Sequence, residues 1–459
     1  MPFDELEDIA RAKRERIEEL LAKLGGTLRR ASELTVQPAL SANVPLTELL
    51  PDIQPHPSAP EGLLHRVIRI PISDESAHPR GYTFRPLPLW DHHTPEIASE
   101  TLTILGCDPP STQDVPLEHI AFLDTETTGL SGATGTYAFL VGIGYFRFDW
   151  PIDLPAPSHA EFICEQFFME DYPHEPVLLA ALAERLRQFR LLVTFNGAAY
   201  DLPLLQARAT LNRTRLPLEG PHVDLLRPAR RIWRRRIGSC ALASLERHVL
   251  GIARTHDVPG ALIPSIYFDH LRGLGRERLV PVLDHNVQDI VSLGAILLLL
   301  REMAINPAHR NLCHAADTFG LANLLMEAGA EDAAAAYLER AAELGPDPQW
   351  ARQFVNKAVR MYRRAGRSEE GAKFLEALCR RAGRRHPELF TELAKWYEHQ
   401  VRAPDRALAA IADAERQAHF LRNLSQLDAT QALAWDRTLR DLAARRCRLE
   451  KRVSKRPLS

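Results

Sequence analysis

Closely spaced cysteine pairs are missing from this chain. Its six cysteines (Cys107, Cys164, Cys240, Cys313, Cys379 and Cys447) are scattered over 459 residues without a CxxC. That excludes a zinc clasp and a disulfide framework, and it leads to the expectation of reduced, mostly buried thiols in a cytoplasmic protein. No apolar run is long enough to span a bilayer, and the opening Met1-Pro-Phe-Asp-Glu-Leu-Glu has no basic segment followed by an apolar one. Neither a membrane span nor a secretory signal is expected. Charge of one sign is also lacking: the net charge is −2, so any polyanionic partner must be met by local positive charge. What remains is the composition of a soluble globular protein, 45% hydrophobic and 25% charged. The length calls for two domains or more.

Residues 4 to 25 carry a rough apolar stripe (Leu6, Ile9, Ile17, Leu20, Leu24) that predicts a helix stopped by Gly25 and Gly26. The following stretch, up to residue 115, is rich in proline and holds one strand-like run, Leu64 to Pro71. Residues 1–115 therefore read as a helix and an extended, partly ordered arm. From 116 to 305 the pattern is strands at 119–123, 136–148 and 160–168, a helix at 176–189, and a further strand at 191–195 followed by a helix. Such an order predicts an α/β domain with a mixed sheet flanked by helices. Between 306 and 445 strands vanish, and Ala328–Arg340 resembles Ala365–Ala377 at an offset of 37 residues, with a weaker copy near Arg402. This fits either a short tetratricopeptide-like (TPR-like) array or an irregular bundle. Residues 446–459 read as a basic tail.

The chemistry starts at Asp124 and Glu126. Alternate residues of a strand share a face, so both carboxylates point the same way at the end of Ile120-Ala-Phe-Leu123. Paired anions repel unless a cation lies between them, and hard oxygen donors favour magnesium or manganese. Thr127, Thr128, Gly129 and Leu130 supply a turn where backbone can approach a ligand. Asp201 follows a strand and Asn196-Gly197, either as a further acid or as a helix cap, and Asn196 can orient a carboxylate or touch a phosphate. His285 and Asp289 lie one turn apart on an apolar helix, where an acid needs a partner or a metal. Arg227, Arg230, Arg231, Arg234, Arg235 and Arg236 surround Trp233; the arginines suit phosphates, whereas Trp233 is expected in the core. Asp224, just before them, can support the metal site or cap a helix.

Four acids in the order Asp-x-Glu, Asp, Asp, with Leu123-Asp-Thr-Glu-Thr-Thr-Gly-Leu130, Asn196-x-x-x-Tyr-Asp201 and His285-x-x-x-Asp289, resemble the DEDD (DnaQ-like) superfamily of 3′→5′ exonucleases. Within it, Gly135–Phe146, His222-Val-Asp-Leu-Leu226, Arg230–Ser239, Leu245–Ile252 and Asp257-Val-Pro-Gly260 resemble the YprB-type ribonuclease H-like proteins. The resemblance covers about residues 117 to 300. It implies a ribonuclease H-like fold and two Mg²⁺ or Mn²⁺ ions held by Asp124, Glu126, Asp201 and Asp289. It also implies hydrolysis at 3′ ends of DNA or RNA; Thr127, Leu130, Asn196, Arg230, Arg231, Arg234, Arg235 and Arg236 are expected on the nucleic acid. A water-activating residue is implied too. His285 is the candidate, as general base or as an orienting residue, but it departs from the pattern: it stands four residues before the last Asp, where members of the superfamily usually carry tyrosine, and Asp284 occupies the usual histidine position. The rival reading is a catalytically weak nucleic-acid-binding module whose helical repeats dock a protein.

Overall fold

A computed structural model describes residues 44–57, 59–72, 96–129, 135–149, 159–254, 257–345, 348–382, 386–424 and 429–454. The helix expected at 4 to 25 lies outside them, as do Leu130 and residues 73–95 of the proline-rich stretch. In chain order the elements are α1 (Leu46–Leu49), β1 (Ile53–His56), β2 (Ala59–Pro71), β3 (Glu96–Ile97), α2 (Ser99–Leu105), β4 (Val115–Pro116), β5 (Ile120–Thr127), β6 (Ala138–Asp149) and β7 (His159–Met169). Then come α3 (Glu175–Leu186), β8 (Leu191–Thr194), α4 (Asp201–Leu211), β9 (His222–Asp224), α5 (Leu226–Ile237), α6 (Leu242–Leu245, continued by a π turn, Glu246–Leu250), α7 (Ile263–Leu271) and α8 (Leu279–Ile305). The C-terminal helices are α9 (Ala315–Glu327), α10 (Glu331–Leu344), α11 (Pro348–Arg364), α12 (Ser368–Ala382), α13 (Pro387–Trp396, with a π turn Tyr397–Val401), α14 (Pro404–Leu424) and α15 (Ala429–Val453).

Seven strands form one mixed sheet in the order β1-β2-β7-β6-β5-β8-β9. The first five pair antiparallel, while β8 and β9 run parallel to β5. A parallel step needs a crossover, which α3 and α4 provide. Ile120, Ala121, Phe122 and Leu123 are all buried, so the sheet is covered on both faces. Ile120 and Phe122 face a core shared with α8 and the C-terminal helices; Ala121 and Leu123 face a second core with α3, α4 and α7.

Helix α8 can lie close on the sheet because β6 offers glycines beneath it. A Cβ on Gly142 would come within 2.2 Å of Asn286 Oδ1 and Ile290 Cδ1, and one on Gly144 within 2.3 Å of Ile290. Gly142 pairs with Asp124 across the strands. The close approach thus brings α8 directly over the acid.

The strand expected at Leu64–Pro71 is present within β2, but the extended arm around it needs correction for residues 46–71. They form α1 and two strands, and β2 pairs with β7 from Leu63↔Met169 to Pro71↔Glu161. Proline did not prevent this, since Pro55 lies on the edge strand β1 and Pro71 at the end of β2, where a missing N–H is tolerated.

The C-terminal half is all helical. α10 opens at Glu331 and α12 at Ser368, the offset of the sequence self-similarity. Helix α9 packs on α5 at Gly320, where a Cβ would meet Arg231 O at 2.5 Å. The basic tail expected from 446 also needs correction: α15 runs to Val453, and Arg445, Arg448 and Arg452 converge on the buried Glu398 at 2.9, 3.1 and 2.9 Å. Spaced three and seven residues apart, they share one helix face, so the charge that reads as a tail is spent on packing. Among the described residues no helix is long and apolar enough to cross a membrane. Cys107, Cys164, Cys240 and Cys379 are buried and free; Cys313 and Cys447 are exposed and free.

Candidate active site

Asp124 and Glu126 leave β5 on the face occupied by α8, and Thr125 leaves on the other. The Thr125 hydroxyl donates to Asp201 Oδ1 in a short hydrogen bond. This draws Asp201, the first residue of α4, to the strand end. Asp289 comes from α8 above. The four acids sense one another: burial, then the charges of Asp289, Asp201 and Glu126, push the Asp124 carboxyl well above the usual range. Glu126 is pushed well up by burial, then by Asp289 and Asp201. Burial also raises Asp201 against the pull of the Thr125 hydroxyl, and it raises Asp289 against His285 and Arg254. Carboxylates resist ionisation when they are buried together and like charges outnumber the cations that offset them.

A buried chain of hydrogen bonds orients Asp124. Asn286 Nδ2 donates to Asp124 Oδ2 at 2.9 Å. Gln166 Nε2 donates to Asn286 Oδ1 at 2.9 Å and to Leu283 O at 2.8 Å. Arg66 Nη1 donates to Gln166 Oε1 at 3.3 Å. Arginine only donates, so it fixes the direction of both amides and leaves the Asn286 NH₂ pointing at Asp124. Arg66, Gln166 and Asn286 are each 0% exposed. Arg66 is held by Asp52 at 3.0 Å and Asp284 at 3.1 Å. Asp284 of α8, in the position usual for histidine, therefore pairs with the buried Arg66 of β2.

His285 lies over the acids. Its Nε2 is 3.9 Å from Glu126 Oε1 and 3.7 Å from Asp289 Oδ2, and its Nδ1 is 2.5 Å from Asp257 Oδ1. Arg254 donates to Asp289 Oδ1 in a short contact, to Glu246 from Nε at 2.5 Å and Nη2 at 2.8 Å, and to Asp257 at 3.2 Å. Glu246, 0% exposed, also accepts from Ser292 Oγ at 2.5 Å. Asp257, Arg254, Glu246, Gln166 and Arg66 are not in the set expected from sequence.

Asn196 follows β8 in a left-handed backbone conformation with φ 66°. Asparagine tolerates this better than most residues, and such positions cluster at functional sites. Asp224 braces it, accepting from the backbone N–H groups of Asn196 (2.7 Å), Ala198 (3.1 Å) and Leu226 (3.0 Å). Of the two readings of Asp224, the structure gives loop bracing and capping. Asn196 opens onto a cleft of about 500 Å³ lined by Phe195, Arg230, Arg234 and Ser239.

The arginine run divides between two sides. Arg230 and Arg234 are exposed at this cleft. Arg231 pairs with Glu327 at 3.3 Å, Arg235 bonds Gln353 and lies 5.3 Å over Phe319, and Arg236 pairs with the buried Asp317 at 2.7 Å. The latter three dock the C-terminal helices and are already partnered. Trp233 is 1% exposed, in the core as expected. Thr127 donates to Gly129 O at 2.8 Å, closing the turn after β5.

Do these residues fit the divalent ions implied by the resemblance? The donor chemistry does: four mutually repelling carboxylates, two of them oriented by neutral donors, form a hard-oxygen set. Among the described residues no group of three or more side chains is arranged to hold an ion as it stands. Arg254 occupies Asp289 Oδ1 and supplies positive charge there. Metal entry therefore requires local adjustment at Asp289.

Comparison with known proteins bears on this region. Residues 121–300 match RNase_H_2, a family of the RNase_H superfamily. The chain is also similar to "Uncharacterized protein YprB" of Bacillus subtilis (strain 168), with 31% identity over 297 residues, spanning 63% of this chain and 67% of that protein.

Proposed function

Because the chain belongs to the RNase_H superfamily, we propose that it is a divalent-metal-dependent 3′→5′ exonuclease of the DEDD type acting on DNA or RNA. The observation that carries this is the meeting of four acids from β5, α4 and α8: Asn286 of α8 binds Asp124, Thr125 of β5 binds Asp201, and His285 Nε2 lies 3.9 and 3.7 Å from Glu126 and Asp289. A buried acid cluster of this kind is costly for a module that only binds. Two Mg²⁺ or Mn²⁺ ions, when held by these four residues, would supply Lewis acidity toward the phosphate and lower the pKa of a water.

The chain's own residues have the remaining roles. Asn286 and Thr125 hold Asp124 and Asp201 with their other oxygens toward the site. His285 Nε2 takes the proton of the attacking water. Asn196, Arg230 and Arg234 hold the phosphates of the strand approaching the acids, since a guanidinium fits phosphate in a bidentate fashion. The helices α9 to α14 are read as a degenerate TPR-type array that can present a protein-docking surface.

The test uses the full chain with 3′- and 5′-labelled single-stranded and duplex DNA and RNA, in Mn²⁺, Mg²⁺ or EDTA, beside Asp124→Ala. The expected result is metal-dependent release of mononucleotides from 3′ ends, abolished in the variant. Tight binding of every substrate without turnover would overturn the reading in favour of a binding module.

A further inference from the structure

The role of His285 depends on which ring nitrogen carries hydrogen. Its Nδ1 is 2.5 Å from Asp257 Oδ1. Arg254 Nη1 also lies 3.3 Å from Nδ1, but the Asp257 contact is much the shorter, and an ionised carboxylate only accepts, so the hydrogen belongs on Nδ1, toward Asp257. In the neutral ring the lone pair then lies on Nε2, the atom facing Glu126 and Asp289 at 3.9 and 3.7 Å. Those separations are too long for direct hydrogen bonds, so neither carboxylate occupies the Nε2 lone pair.

Asp257 is itself held in place. Arg254 Nη1 donates to Asp257 Oδ2 at 3.2 Å, leaving Oδ1 for the histidine. Arg254 is gripped through Nε and Nη2 by Glu246, which Ser292 of α8 anchors at 2.5 Å. The same guanidinium holds Asp289. One fixed cation thus sets the two carboxylates that flank the imidazole.

We propose that Asp257 is the positioning residue of this site: held by Arg254, it fixes His285 as the tautomer whose Nε2 accepts the proton of the attacking water. This rests on the nuclease reading for its chemistry but not for its geometry. The step balances: Nε2 gains a proton of water as the water oxygen bonds to phosphorus, the P–O3′ bond breaks, the leaving 3′ oxygen takes a proton from solvent, and Nδ1–H stays bonded to Asp257. A histidine one turn before the last acid is thereby given its orientation by a carboxylate from another loop.

Asp257→Asn separates this role from simple packing. With Arg254 donating to one side, the amide oxygen turns to Arg254 and the NH₂ to Nδ1. The isosteric variant therefore forces hydrogen onto Nε2, the wrong tautomer for a base. A merely structural carboxylate predicts the reverse order, with asparagine milder than alanine. Two readouts are taken on the full chain. The first is the ¹⁵N shift of the His285 ring, assigned with His285→Gln, without metal and at a pH where the ring is neutral. It is expected to show hydrogen on Nδ1 in the wild type and on Nε2 in Asp257→Asn. The second is turnover, with kcat expected to fall on the order of 100-fold in Asp257→Asn and about 10-fold in Asp257→Ala, KM changing little. Hydrogen on Nε2 in the wild type, or an Asp257→Asn enzyme as fast as wild type while Asp124→Ala is dead, would overturn the proposal. If the wild type cuts nothing, the nuclease reading falls, and the ring shift alone decides the pairing.

Discussion

Replacing Gly142 with alanine tests how the acids are brought together. The added Cβ would lie 2.2 Å from both Asn286 Oδ1 and Ile290 Cδ1, where ordinary contact begins at 3.4 Å. Neither neighbour can yield alone. Asn286 is bonded at one end to Gln166 and at the other to Asp124, so rotating it breaks both bonds. Ile290 is 0% exposed. The helix itself must retreat, by about 1 Å, and it carries His285 and Asp289 with it. Overpacking of this kind costs about 1–3 kcal/mol, and a misplacement of ~1 Å at reacting groups costs on the order of 100-fold in rate. Urea unfolding and Mn²⁺-dependent turnover measure the two effects, with Gly220→Ala, whose Cβ meets nothing within 4 Å, as the control. A Gly142→Ala protein matching the control in both would refute the seating of α8 on β6 and the account of how Asp289 reaches Asp124.

Arg66→Met is expected to lower stability by about 2–4 kcal/mol: it leaves the buried Gln166 Oε1 without its Arg66 donor, whereas Asp52 and Asp284, each 33% exposed, recover part of their solvation. The same change is expected to weaken Mn²⁺ binding by calorimetry, and unchanged affinity would detach the hydrogen-bond chain from the metal site. The raised carboxyls give a pH signature. Asp124 and Glu126 bind protons more tightly folded than unfolded, so without metal the folded state loses stability as pH rises from about 4 until they ionise. Melting curves of wild type minus Asp124→Asn should show this fall, with Mn²⁺ protecting more at high pH than at low; a difference that grows with pH without metal would contradict it. Arg230→Ala and Arg234→Ala are each expected to weaken nucleic-acid binding and flatten its salt dependence by about one ion. Arg236→Ala is expected to lower the melting temperature, through Asp317, with binding unchanged. Binding loss in Arg236→Ala without destabilisation would reverse that division.

Much of the fold was legible in the sequence because burial writes itself as periodicity. The strands from 119 to 195 and the helices after 310 appear where apolar spacing put them. The run from Leu64 to Pro71 was legible as a strand, since Leu64, Arg66, Ile68 and Ile70 alternate and all are buried, but its partner β1 and its place in the main sheet were not, because prolines dominate their surroundings. An arginine on the apolar face of that alternation signalled a buried ion cluster. The four acids were legible because strand and helix spacing fix the direction of a side chain. Arg254 and Asp257 were not, because they sit in a loop whose path no periodicity records. Nor could the arginine run be divided, since only the packing of α9 and α11 shows that Arg231, Arg235 and Arg236 are occupied.

The most direct test of the central claim is anomalous diffraction at the manganese edge from crystals of the full chain grown with Mn²⁺ and a non-cleavable oligonucleotide. Two manganese peaks about 4 Å apart, touched by Asp124, Glu126, Asp201 and Asp289 and lying at the 3′ end of the strand, are the predicted result. Crystals with oligonucleotide bound, no manganese at these acids and Arg254 still on Asp289 would contradict it.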